Sequence, residues 1–180
     1  MKTLILLRHA KSGWDDPGLR DFDRPLNAKG QRAAALVGRN LRAMGLSFDR
    51  VLASPAVRVV ETIDHAGRGY GGDLAPDYDR RLYLAAPGTL LDIVHALPDA
   101  IATALVVGHN PGLEDLVLAL VSPESDQRLR DDVEAKFPTA SVAVLTFATD
   151  HWADVAASRA ALTHFVRPRD LDPALGPDAD

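Results

Sequence analysis

Four residues in this 180-residue chain are suited to handling an anion: Arg8, His9, Arg58 and His109. Arg8 and His9 follow Leu4-Ile5-Leu6-Leu7, an aliphatic run that reads as a buried, central, parallel strand. His109 follows a second such run, Thr103-Ala104-Leu105-Val106-Val107, through Gly108. Arg58 lies one turn after Ser54-Pro55, which closes a short strand over Arg50-Val51-Leu52-Ala53. Ligands of open α/β sheets bind at the carboxyl ends of the strands, so these side chains can meet at one sheet edge. A histidine there can serve as nucleophile, base or metal ligand. The neighbouring arginines favour an anion and disfavour a metal cation. Two guanidinium groups and two imidazoles repel one another unless an anion or buried carboxylates compensate. A phosphoryl group meets that need, because histidine can accept it in line and pass it to water.

The elements that would position these residues alternate along the chain. Gly13 to Leu26 is a long polar loop holding Trp14, Asp15, Asp21, Asp23 and Arg24. Asn27 is set to cap a helix whose apolar face is Ala34, Val37, Leu41 and Met44, with Gly45 at its end. Helical spacing returns over Ala56 to His65, followed by a glycine-rich loop from Gly67 to Gly72. A third strand is expected within Tyr78 to Leu84, and helices over Thr89 to Leu97 and Leu113 to Val121. Ser122 to Pro138 reads as polar and mostly exposed; Ser141 to Phe147 and Leu162 to Val166 read as the last strands. The expectation is a three-layer α/β/α sandwich around a mostly parallel sheet. A single domain would span residues 1–167, with a loose tail over 168–180.

Composition narrows the function. Apolar residues make up 47% and charged residues 25%, as in a globular protein. A net charge of −5 argues against sequence-independent nucleic-acid binding. The absence of cysteine excludes disulfides, thiolate catalysis and cysteine-bound zinc, and fits the cytoplasm. The start of the chain does not read as a signal peptide, and no apolar stretch nears the roughly 20 residues of a membrane span.

Taken together, Arg8-His9-Ala10-Lys11-Ser12, Arg24-Pro25-Leu26, Ser54-Pro55 with Arg58, Glu61 and Thr62, and Gly108-His109 resemble the histidine phosphatase superfamily. Phe137-Pro138-Thr139-Ala140-Ser141 adds a likeness to its short, SixA-type phosphohistidine phosphatase branch. The resemblance implies a phosphoglycerate-mutase-like fold and a phosphatase that uses no metal and no cofactor. It implies that His9 is the nucleophile of a phosphohistidine intermediate. Arg8 and Arg58 would hold the phosphoryl oxygens, and His109 would stabilise the charge of the transferring group. Ser12, Asp15 and Arg24 stand where they could touch the substrate, and Trp14 either walls it or packs under the loop. The implied partner is a phosphorylated protein carrying phosphohistidine, or a small phosphoester; nucleic acid and membrane are not expected.

Three departures from the family pattern bear on activity. Ala10 stands where glycine is usual, which matters only if the backbone there needs positive φ. Lys11 and Asp15 replace the glutamate and asparagine of phosphomutase-like members. Arg80-Arg81-Leu82-Tyr83-Leu84 offers no carboxylate where larger branches carry a general acid, leaving Asp15, Asp21 or Asp23 as candidates. A missing acid favours phosphohistidine over sugar phosphates, since a ring-protonated phosphoramidate leaves as neutral imidazole. The rival readings are a phosphomonoesterase of the same superfamily and a phospho-ligand-binding module without turnover.

Overall fold

In the computed structural model, which describes residues 1–177, one mixed sheet is covered by helices on both faces. The strands are β1 (Lys2–Arg8), β2 (Arg50–Ala53), β3 (Asp77–Tyr78), β4 (Thr103–Gly108), β5 (Val142–Phe147) and β6 (Ala161–Val166), in the order β3-β2-β4-β1-β5-β6. β1 and β4 are thus the central pair, as their aliphatic runs require. Only β5 runs against the others: its pairings with β1 and β6 are antiparallel, whereas β1–β4, β4–β2 and β2–β3 are parallel.

The two-residue period of a strand divides the core. Leu4 and Leu6 of β1, with Ala104 and Val106 of β4, face α3 (Pro87–His95) and α4 (Gly112–Leu120). Ile5 and Leu7, with Leu105 and Val107, face α1 (Ala28–Ala43) and α2 (Val57–Tyr70). All eight are essentially inaccessible to solvent, and each Leu, Ile or Val buried this way contributes about 1.5–3 kcal/mol.

The first long helix begins and ends where its capping residues direct. The Asn27 side chain accepts from the Gly30 amide at 2.8 Å, and Gly45 follows the last turn at φ 73°. Three expectations need correction, and one polar stretch holds a helix not assigned from sequence. α2 does not stop before Gly67 but runs to Tyr70, ending at Gly71 with φ 97°. One of its glycines serves contact with α1: a Cβ on Gly69 would lie 1.9 Å from the Ala35 carbonyl oxygen, and one on Gly38 of α1 would lie 1.9 Å from that of Ala66. The third strand is only Asp77–Tyr78. The Asp79 carboxylate then caps a 3-10 turn over Arg80–Leu82 by accepting from the Arg81 amide, and Leu82 is drawn into the core. Within the polar stretch from Ser122 to Pro138 lies α5 (Gln127–Ala135), capped by Asp126; it buries only Val133, so its pattern is faint. The segment after Val166 is not loose. Pro168–Leu171 forms α6, Pro173–Leu175 a 3-10 turn, and Leu171 and Leu175 pack on the α1–α2 side of the core. Residues 178–180 of the expected tail lie outside the described residues. Among the described residues no helix is long and apolar enough to cross a membrane.

The α1–α2 contact yields a test. Alanine is the better helix former by about 1 kcal/mol, yet its methyl group has no room at these crossings. Gly38→Ala is expected to lower the unfolding free energy by about 1–3 kcal/mol in a denaturant titration. A neutral or stabilised Gly38→Ala variant would refute the close approach.

Candidate active site

The site begins in the backbone ladder at the centre of the sheet. Arg8 is in register with Gly108, and the His9 amide donates to the Gly108 carbonyl at 3.0 Å. The next residue on that strand is His109, so the two imidazoles lie 5.3 Å apart between ring centroids, with planes tilted by 55°. On the other side of β4, the Ser54 amide bonds the Val107 carbonyl as β2 ends. α2 starts three residues later and carries Arg58, 2% exposed, in its first turn. Behind His9, the Ala140 amide bridges the Arg8 and His9 carbonyls at 3.1 and 3.0 Å, from a left-handed conformation at φ 60°. Ala10 is not among the described residues with positive φ, and its amide donates to Thr62 Oγ1 at 2.9 Å. The departure from glycine therefore costs the backbone nothing.

Hydrogen-bond partners assign the proton on each imidazole. His9 Nδ1 sits 2.7 Å from the Ala10 carbonyl oxygen, which can only accept, so Nδ1 carries the hydrogen and the neutral ring keeps its lone pair on Nε2. Arg58 Nη2, which can only donate, faces His109 Nδ1 at 3.3 Å. His109 Nε2 therefore carries the hydrogen and donates to Ser54 Oγ at 2.8 Å. Both rings are held neutral. Burial is the main cause at His9, whose pKa falls to about 3; the bond to Ala10 opposes the shift, while His109, Arg58 and Arg8 add to it. Burial followed by the Arg58 charge lowers His109 to about 4.

The cationic charge is compensated from the first loop. Arg58 donates through Nη1 to the Asp21 carbonyl at 2.6 Å and through Nη2 to the Asp21 carboxylate at 3.0 Å. Tyr83 donates its hydroxyl to the same carboxylate at 2.6 Å, and Arg24 Nε lies 3.4 Å from its other oxygen. Partial burial opposes ionisation of Asp21, but the bonds from Tyr83 and Arg58 and the charges of Arg58 and Arg24 outweigh it and hold the carboxyl below its ordinary range. Arg8 donates to the Phe137 carbonyl at 2.9 Å and feels the charge of Glu114. Buried Nε atoms of Arg8, Arg24 and Arg58, with Nη1 of Arg24, have no hydrogen-bond partner among the described residues. The charges of Arg8 and Arg58 both bear on the His9 ring, which suits the surroundings to an oxyanion.

Of the residues singled out from sequence, Arg8, His9, Arg58 and His109 come together, and Arg24 joins them. Arg24 is 8% exposed and lies 3.5 Å from the Trp14 ring centroid in a cation–π stack; Trp14 itself is exposed rather than packed beneath the loop. Ser12 is paired with Leu26 in an isolated antiparallel bridge, closing the loop on itself. Asp15 points out into solvent, its carboxylate lying near Gly13. Tyr83 and the hydroxyl of Ser54 were missed as site groups. Tyr83 was expected in a strand, and the 3-10 turn that redirects it leaves little trace in sequence; its ring meets His109 edge-on at 5.4 Å.

Comparison with known proteins accords with this geometry. The family model described as histidine phosphatase superfamily (branch 1) matches residues 4–83, which include Arg8, His9 and Arg58. An uncharacterised protein of Mycobacterium tuberculosis is 43% identical over 91% of this chain and 100% of its own length. Among solved structures, a SixA protein of Nakamurella multipartitia is 32% identical with a TM-score of 0.79, over 93% of this chain and 96% of that one. A SixA protein of Agrobacterium tumefaciens is 30% identical with a TM-score of 0.76, over 93% and 98%. With a full-length relative at this identity, and with paired arginines and histidines at one sheet edge, the chain belongs to the histidine phosphatase superfamily, among its SixA-type members.

Proposed function

We propose that the protein is a metal-independent phosphatase in which His9 takes up the phosphoryl group and passes it to water, and that its substrate is phosphohistidine on a protein. The observation that carries this reading is the fixed tautomer of His9. With Nδ1–H held by Ala10, the Nε2 lone pair is the nucleophile, and burial keeps it unprotonated. Arg8 and Arg58 supply the charge that grips the phosphoryl oxygens and would repel a divalent cation.

In the first step Nε2 bonds to phosphorus as the bond from phosphorus to the leaving group breaks, its electron pair going to the leaving atom. An arriving phosphoryl group competes for Arg58 Nη2, and its negative charge raises the proton affinity of His109 Nδ1; a monoanionic phosphoryl group passes its proton to that nitrogen, which then donates it back to a transferring oxygen as a hydrogen bond. Water then attacks phosphorus, the N–P bond breaks, and the pair returns to Nε2. The phosphorylated ring still carries Nδ1–H, so it departs as neutral imidazole without further protonation.

The leaving-group preference follows from Asp21. It is the carboxylate at the centre of the site, but Arg58 and Tyr83 hold it ionised, so it has no proton to give at neutral pH. A phosphoramidate protonated on its ring needs none, whereas an alkoxide does. The exposed Trp14, stacked on Arg24, offers an aromatic face on which a protein partner could rest.

Three outcomes are expected. Wild-type protein given a radiolabelled phosphohistidine protein will carry acid-labile label on His9 in a single turnover, and His9→Ala will carry none; absence of label from the wild type would reduce the protein to a binding module. Asp21→Asn will change the ratio of phosphoramidate to phosphoester turnover by less than about tenfold, whereas an acid catalyst would cost the ester alone about 10²–10⁴-fold. In phosphate-free buffer, NMR titration will find the His9 and His109 rings neutral to below pH 5, while His151, raised by its bond to Asp99, titrates above the ordinary histidine value. A His9 midpoint near the ordinary value would contradict the buried, cation-flanked ring.

A further inference from the structure

The two oxygens of the Asp21 carboxylate have different surroundings. Oδ2 accepts from Arg58 Nη2 at 3.0 Å and from the Tyr83 hydroxyl at 2.6 Å. Oδ1 lies 3.4 Å from Arg24 Nε but takes no hydrogen bond from it. The side chain is 41% exposed, although the Arg58 side chain it binds is buried. The carboxylate is thus anchored by one oxygen and keeps acceptor capacity on the other, at a half-exposed position. A bend in the backbone accompanies this anchoring. Leu84, directly after Tyr83, stands at φ 50°, a conformation leucine rarely adopts, while its own side chain stays exposed. The bend does not bury Leu84; it comes with the delivery of Tyr83 to Asp21 and, edge-on, to His109.

Phosphoryl transfer between two imidazoles makes a demand on both rings. The ring that gives up phosphorus must carry hydrogen on its other nitrogen, or it departs as an imidazolate. On the His9 ring that hydrogen is held by the Ala10 carbonyl. The substrate's ring enters among the charges of Arg8, Arg24 and Arg58, which disfavour its cationic, ring-protonated form. A carboxylate beside the ring reverses that effect. Asp21 is faced by Arg58 from α2, Tyr83 from the 3-10 turn and Arg24 from its own loop, and its charge reaches His109 beyond β4.

We propose that Asp21 Oδ1 accepts the ring N–H of a phosphohistidine substrate, so that Asp21 selects the ring-protonated form and sets specificity for it. The inference rests on the preceding reading, with His9 as nucleophile and phosphohistidine as substrate. Asp21 acts here as an acceptor, the role its ionised state permits. The step balances. His9 Nε2 bonds to phosphorus as the substrate's P–N bond breaks, and the electron pair of that bond returns to the substrate's nitrogen. The N–H stays in place, the positive charge passes from the substrate's ring to that of His9, and neutral imidazole leaves. An ester has no ring hydrogen for Oδ1 to accept.

The substrate's own ring reports the contact. A phosphohistidine peptide bound to His9→Ala, which cannot take up the group, is titrated by phosphorus NMR. Its ring midpoint is expected to lie about one unit or more above that of the free peptide, because an adjacent opposite charge favours the charged form. Adding Asp21→Asn is expected to bring the midpoint back down by about as much. In single turnover at saturating peptide, the wild-type rate is expected to hold to higher pH than that of Asp21→Asn. The two profiles should part by a few-fold at pH 7 and by about tenfold at pH 9. The control is para-nitrophenyl phosphate, whose leaving anion needs neither an acid nor a ring hydrogen; its pH profile is expected to have the same shape in both proteins. A bound midpoint at or below that of the free peptide, or an equal displacement with para-nitrophenyl phosphate, would overturn the proposal. If phosphohistidine labels His9 and the midpoint does not move, this inference alone fails; if His9 is never labelled, the preceding reading fails with it.

Discussion

The site depends on one backbone hydrogen bond, from the His9 amide to the Gly108 carbonyl at the edge of the central strand pair. Parallel strands in register end together, so a histidine after one and a histidine after its neighbour must be near each other whatever the surrounding loops do. A register slip of a single residue would turn Leu4 and Leu6 to the opposite helical layer and break both halves of the core. The spacing of the two imidazoles is thereby secured by hydrophobic burial several residues away. The same logic places Ser54 and Arg58, since β2 ends beside β4 and α2 begins almost at once.

Buried like charges are the cost of this convergence, and the first loop offsets it. Asp21 gives Arg58 two acceptors, one from its backbone and one from its side chain, and is itself fixed by Tyr83. Because Asp21 is bound in this way, it acts as a counter-charge and a positioning residue for Arg58. A carboxylate that must neutralise a buried guanidinium cannot also stand protonated as an acid. The charge balance of the site and the ionisation of its one central carboxylate are therefore linked through a single residue.

Much of this was legible in the sequence. Aliphatic runs ending in Arg8-His9 and Gly108-His109 identify the central strands because a strand buried on both faces has no polar alternation to hide it. Asn27 and Gly45 mark a helix because their conformational roles are local. The misreadings arise where distant contacts override local preference. Gly69 resembles a loop residue until α1 is laid against it, Gly67 until the chain turns back over it at Gly72, and the Asp79-capped turn replaces the strand expected within Tyr78 to Leu84. Asp21 was one acid among several in a polar loop, and only the fold brings it to Arg58. The C-terminal segment was read as loose from its prolines and aspartates, yet two leucines suffice to dock it.

Trp14 and Trp152 are the chain's two tryptophans, and they occupy opposite environments: one lies open to water over the Arg24 guanidinium, the other is wholly enclosed beside β4 with its indole N–H on the Ile101 carbonyl. Their fluorescence is correspondingly separable, with red-shifted, quencher-accessible emission from the first and blue-shifted, shielded emission from the second. Any ligand that pulls Arg24 from its ring contact will alter one band and leave the other as an internal reference. The protein thus carries its own optical gauge of events at the mouth of the site, with no label attached.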